Sequence, residues 1–202
     1  MKTKNKGFTL VEVLIVASIT VVLGLAILGL QYIISQNQVE VWRNYLSVDE
    51  ANSNISTMAR ELRNAKTAEN GAYALERAAD SELIFYSDYN YDGRVDRIRY
   101  TLSGNSLIKG VIEPTGFPVN YPRQNEKIKV VAENVRNGTT PIFYYYNENW
   151  PQDTTNNPLN TPTRLSDTKL MRLYLEINPK ENNNRNYILE TYIQIRSLKE
   201  NL

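Results

Sequence analysis

The sequence predicts an α+β protein in which a long N-terminal helix, membrane-spanning in its first half, packs on a C-terminal antiparallel β-sheet domain. An almost unbroken apolar run extends from Val13 to Leu30, interrupted only by Ser18 and Thr20. Apolar residues then recur at three- and four-residue steps up to about residue 65. Beyond residue 72 the period is two, with β-branched and aromatic residues set between turn-formers. The chain divides accordingly into a basic leader (1–7), a membrane-spanning half-helix (8–36), an amphipathic half-helix (37–70) and a sheet domain (71–202).

A helix crosses the hydrocarbon core with roughly 20 apolar residues at about 1.5 Å of rise each. Lys2, Lys4 and Lys6 precede the run and favour a cytoplasmic amino terminus, which places everything after the helix outside the cytoplasm. A secretory signal would place a small-residue cleavage site after its apolar region, yet here the turn residue, Gly7, lies before it. One carboxylate, Glu12, sits within the segment, and no further charge follows until Glu40. A carboxylate at membrane depth costs on the order of 2.5 to 3.5 kcal/mol unless it is paired, so Glu12 calls for a partner. Gly24 and Gly29 are tolerated in a membrane helix and permit bending or close packing.

Past Gln36 the stripe Val41, Tyr45, Val48, Asn52, Ile55, Met58, Ala59, Leu62 and Ala65 needs a core to cover it. The helix is expected to fade between Asn64 and Gly71, with Asn70-Gly71 as its stop. The charges of Arg60-Glu61-Leu62-Arg63 read as a solvated helix face. Seven strands follow: Glu82–Ser87, Asp96–Leu102, Ser106–Ile112, Lys127–Val135, Ile142–Tyr146, Leu170–Ile177 and Tyr187–Arg196. In the last two, apolar residues alternate with polar ones, so one face of an antiparallel sheet is apolar and receives the helix stripe. The segment from Asn178 to Asn186 reads as the loop joining them. The Pro-, Asn- and Thr-rich stretch Asn147–Thr168 reads as an exposed, functional or mobile loop, in which Trp150 caps the sheet or anchors a partner.

With 23 basic and 22 acidic residues in 202, the chain is no polycation, and the tyrosines lack the basic clusters that would make nucleic acid a partner. There is no cysteine for a disulfide or thiolate site, and no histidine for a general base or metal ligand. Phosphate-loop, dinucleotide and nucleophile-elbow motifs are absent, and Glu176 and Glu190 fall on the polar face of strands. The sequence therefore points away from an enzyme. Calcium is the one cofactor it suggests. Asp88, Asn90 and Asp92, followed by Gly93, match the start of an EF-hand-type loop, with Asp96 at its ninth position. The twelfth position is Arg99, which excludes a complete EF-hand, and a plain Asp92-Gly93 hairpin turn accounts for the same residues.

Lys6-Gly7-Phe8-Thr9-Leu10-Val11-Glu12 resembles the leader and cleavage/methylation motif of type IV pilins and of type II secretion pseudopilins. The resemblance implies a cut after Gly7 by prepilin peptidase, methylation of Phe8 as the new first residue, and pairing of Glu12 with the amine of a neighbouring subunit. Phe8 and Glu12, four residues apart on one helical face, leave a pair within one chain equally open. Loss of the three leader lysines leaves 20 basic and 22 acidic residues, a net charge of −2. The strong match covers about the first quarter of the chain. A weaker likeness, through Arg60-Glu61-Leu62-Arg63, Leu83-Ile84-Phe85-Tyr86 and Arg97-Ile98-Arg99-Tyr100-Thr101-Leu102, is to J-type minor pseudopilins and related minor pilins. The family implies a pilin-like fold and a structural role among other pilin or pseudopilin subunits, first in the cytoplasmic membrane and then in a pilus or pseudopilus. The absence of cysteine departs from the carboxyl-terminal disulfide of many pilins. The competing reading is a membrane-anchored adhesin or DNA-uptake subunit that acts as a binding module.

Overall fold

The computed structural model describes residues 7–163, 165–178 and 186–196, without the side chains of Glu40, Arg43 and Asn44. The predicted leader, Gly7 excepted, and the predicted loop between Asn178 and Asn186 lie almost wholly outside the described residues. Helix α1 runs Leu10–Arg63, and the chain forms two compact units, Met1–Tyr45 and Leu46–Leu202.

In the first unit no residue of the most apolar window of Leu10–Val39 is buried. Leu14 is 61% and Leu25 65% exposed, although both are as apolar as any core residue. The two hydroxyls in this stretch turn back on their own helix: Ser18 Oγ donates to the Ile15 carbonyl (2.9 Å) and Thr20 Oγ1 to that of Val16 (2.7 Å). Such bonds let a polar side chain reside in an apolar medium without a foreign partner. A Cβ built on Gly24 or Gly29 meets nothing within 4 Å, so no contact in this chain requires glycine there.

In the second unit α1 buries Ala51, Ile55, Met58, Ala59 and Leu62, a stripe of three- and four-residue steps. The predicted stripe began too early, because Val41 and Tyr45 are exposed, and it was out of phase at Asn52, whose place Ala51 takes. The helix stops at Arg63. Asn64 and Ala65 close it with tight bonds to Glu61 and Leu62, and the Lys66 amide leaves the helix to donate to Tyr86 of the sheet. Asn70-Gly71 therefore makes a separate turn, Gly71 (φ +83°) donating to Ala68, and does not cap α1.

Among the described residues eight strands form two antiparallel sheets. The first carries β1 (Leu75–Ala78), β2 (Glu82–Ser87), β3 (Asp96–Ser103), β4 (Ser106–Ile112) and β5 (Lys127–Ala132) in sequential order. The second carries β6 (Phe143–Tyr146), β7 (Leu170–Ile177) and β8 (Tyr187–Gln194). Strand β1, Leu-Glu-Arg-Ala, escaped the sequence reading because all four residues are helix formers and pairing with β2 overrides that preference. Strand β5 ends early: the chain bends at Glu133-Asn134, Asn134 taking φ +57°, and Val135 bridges to Ile177 of the other sheet. The sheets stay separate because β6 hydrogen-bonds to the turn after β1 rather than to the strand. The Ile142 and Phe143 amides donate to the Asp80 carbonyl, and Tyr145 Oη donates to that of Ala79. Both sheets and the C-terminal turns of α1 line one core, with Phe85, Tyr100, Phe143, Tyr145 and Leu175 almost fully buried.

The charges of the helix segment do not all face water. Arg60 and Arg63 are exposed, whereas Glu61 is 6% exposed; Lys109 of β4 ion-pairs with it at 2.5 Å and Tyr100 Oη donates to it at 2.8 Å. Ser87 Oγ donates to the Glu61 carbonyl (3.0 Å), so α1 is latched to β2, β3 and β4 at one turn. On the opposite face of the first sheet Arg97 and Arg99 form two-pronged pairs with Glu76 and Glu126. Glu126 reaches Arg99 across Gly110, where an added Cβ would lie 2.1 Å from the Glu126 carboxylate.

Hydrogen bonds tie the Asn147–Thr168 stretch to itself and to the sheets over its described residues. Buried Asn157 bonds to the amide and side chain of Asn147 and to the Asp153 carbonyl, Leu159 donates to Tyr145, and Thr163 donates to Ala78. Trp150 packs on Tyr146 at 4.6 Å between ring centroids, as a cap on the second sheet.

Gly110→Ala is expected to displace Glu126 and lower unfolding stability by about 1–3 kcal/mol, read by denaturant titration of the full chain in detergent. Hydrogen bonding from Arg99 holds the Glu126 carboxyl below its ordinary value of 4.5, with partial burial opposing. Its folded value lies below the unfolded one, so this pair stabilises the fold above pH 4.5 and the gain is lost as the pH falls through the folded value. Melting curves across the acid range are expected to show a shallower decline for Glu126→Gln than for the parent.

Candidate functional site

The residues singled out from the sequence fall in two places, the start of α1 and the β2–β3 hairpin. At the helix start Gly7 is exposed with nothing within 4 Å of a built Cβ, and Phe8 is 86% exposed. Glu12 is not without a partner in its own chain. The Thr9 amide and hydroxyl donate to Glu12 Oε2 at 2.8 and 3.0 Å, while the Glu12 amide donates to Thr9 Oγ1 at 3.3 Å. Thr9-x-x-Glu12 is thus a capping box, in which side chains at the N-cap and third helical positions satisfy amides the helix cannot. The spacing was legible in the sequence, and it gives Glu12 a partner within its own chain. The negative charge also opposes the positive end of the helix dipole.

The hairpin places Asp88, Asn90 and Asp92 in one turn. The Asp92 amide donates to Asp88 Oδ1 (3.1 Å) and Asn90 Oδ1 (3.2 Å), the Gly93 amide to Asp88 Oδ2 (3.1 Å), and the Arg94 amide to Asp92 Oδ1 (2.8 Å). Gly93 takes φ +87°, which suits glycine, and Tyr91 takes +60°, which a bulky residue seldom adopts. The Arg94 guanidinium donates to the Pro114 carbonyl. Asp96 stands apart from the other three: it opens β3 opposite Ser87 and is fully buried. Burial pushes its pKa up to about 7, with the charges of Asp92, Glu113 and Asp88 acting in the same direction and a hydrogen bond from the Tyr89 backbone opposing. Among the described residues no three His, Cys, Asp or Glu side chains are gathered as a metal group.

Residues 2–28 match the family model described as "Prokaryotic N-terminal methylation motif". The amino terminus of the chain therefore carries a methylation motif. Gly7, Phe8 and Glu12 lie inside the matched span, the first two just before α1 and Glu12 in its first turn. One chain of a solved binary complex of two pseudopilins from the Type 2 Secretion System of Vibrio vulnificus is similar to this one. It shows 13% identity, covers 77% of this chain and 94% of its own, and has a TM-score of 0.46. No curated protein matches the chain.

Sequence reasoning missed Thr9, whose signal was the three-residue spacing to Glu12, and the buried Glu61–Lys109 pair, which has no local signal. Thr9→Ala is expected to cost the first helical turn about 1 kcal/mol and to speed amide hydrogen exchange at Leu10 to Val13 severalfold in micelles, with exchange beyond Ser18 unchanged.

Proposed function

We propose that this chain is a minor pilin or pseudopilin, a structural subunit held in the cytoplasmic membrane by its apolar helix and then assembled into a type IV pilus or type II secretion pseudopilus. The observation that carries the reading is the methylation motif at residues 2–28 joined to a helix with an apolar window that buries none of its residues in its own chain. So much exposed apolar surface needs lipid or other helices to cover it.

In this reading prepilin peptidase cuts after Gly7, and Phe8 becomes the methylated amino terminus. The cut leaves a charged amine two residues before Leu10, where α1 starts. The Thr9 bonds both converge on Oε2 of Glu12, which leaves its second oxygen to face the amine of a neighbouring subunit and set axial register. The leader lysines keep the amino terminus cytoplasmic and the sheet domain outside. Partners are other pilin or pseudopilin subunits, met through helix packing in which Gly24 and Gly29 permit close approach.

Coexpression with prepilin peptidase is expected to yield a chain beginning at methylated Phe8 by mass spectrometry; retention of Gly7 would remove the filament reading. Glu12→Leu is expected to be cut normally yet to be depleted at least tenfold from sheared filaments, and normal incorporation would count against the amine pairing.

A further inference from the structure

We propose that the face of the first sheet opposite α1 carries a binding site for one carboxylate of a protein partner, an aspartate or glutamate side chain received by Arg97, Arg99 and Arg123. This goes beyond the filament role and does not depend on it. Strand register places Arg77, Ile84 and Arg99 side by side across β1, β2 and β3, and Arg97 lies two residues from Arg99 on the same face. The 3₁₀ turn Arg123–Asn125 brings a fourth guanidinium to the same place, and the four arginines line a depression of about 250 Å³. Ile84, 5% exposed, also lines it, and an apolar wall strengthens the pairing of charges beside it by keeping water away.

Two observations point to a ligand. The first is a charge imbalance. Glu82 pairs with Arg77, Glu76 with Arg97 and Glu126 with Arg99, each at 2.7 Å, whereas Arg123 has no ion pair among the described residues. The four guanidiniums of the depression and the three carboxylates that pair with them leave one positive charge in excess. The second is a set of unused donors. Both two-pronged pairs engage Nε and Nη2, so Nη1 of Arg97 and of Arg99 takes no part in them, although the Arg97 side chain is only 7% exposed. A polar group so enclosed normally has a partner. The pairs also hold both guanidiniums in place before anything binds, so little side-chain entropy remains to be lost. One excess charge suits a monoanion, and the planar fork of arginine matches the two oxygens of a carboxylate. The depression is smaller than the roughly 300–1,000 Å³ of sites for small organic ligands, and suits the end of one side chain.

The test follows the arginine side-chain resonances of the full chain in detergent micelles by NMR. The probe is a blocked Gly-Glu-Gly peptide, with blocked Gly-Gln-Gly and inorganic phosphate titrated in parallel. Saturable shifts of Arg97, Arg99 and Arg123 are expected with the glutamate peptide alone, at a dissociation constant on the order of 1–10 mM that weakens as salt is added. Arg123→Gln, an exposed substitution that breaks no ion pair, is expected to weaken binding about tenfold without changing the melting temperature. Arg60→Gln, exposed on α1, is expected to bind as the parent does. The proposal is overturned if the glutamate peptide does not saturate by about 100 mM, if the glutamine peptide gives the same shifts, or if Arg123→Gln binds as tightly as the parent. Tighter binding of phosphate than of the glutamate peptide would also overturn it, in favour of a free oxyanion.

Discussion

Apolar surface that its own chain does not cover is the constraint on which the rest depends. From Val13 to Leu30 the helix is apolar nearly all round and exposed, whereas from Ala51 to Leu62 one stripe is buried and the remainder is polar. A helix apolar on every side cannot be satisfied by a single neighbouring layer, but one with a stripe can. The first segment needs a surrounding medium of lipid or of other helices. The second needs only the two sheets.

The domain holds the amphipathic segment by packing and by one polar latch. Glu61 joins Lys109, Tyr100 and, through its carbonyl, Ser87, so three strands are tied to one turn of α1. A buried ion pair of this kind adds little net stability over an apolar substitute, but removal of either partner strands a charge in the core, at a cost of about 3–5 kcal/mol. It fixes which residues of the helix face the sheet. In a chain without cysteine, this latch, the Arg97–Glu76 and Arg99–Glu126 pairs and the shared core take the place of a crosslink.

The helix start and the hairpin use the same economy. In each, a carboxylate accepts nearby amides that have no partner in a helix or strand, which orients it while some of its acceptor capacity stays open. Glu12 does so for Thr9, and Asp88 for Asp92 and Gly93. Asp96 differs in lying fully buried at the start of β3.

Whatever depends on residues close in sequence was legible in the chain itself: the apolar run, the motif from Gly7 to Glu12, the Asp-Gly turn and the alternation of β7 and β8. Thr9-x-x-Glu12 belonged to that class and could have been read. Only the tertiary structure decided the rest. Strand β1 exists because β2 pairs with four residues that prefer helix, α1 ends at Arg63 because the Lys66 amide finds Tyr86, and the sheets are two because β6 bonds to Asp80. Glu61 and Asp96 look like ordinary surface acids in the sequence, since burial comes from partners 26 to 48 residues away for the first and from strand pairing for the second. Such burial has no local signature, because it arises from where distant segments meet.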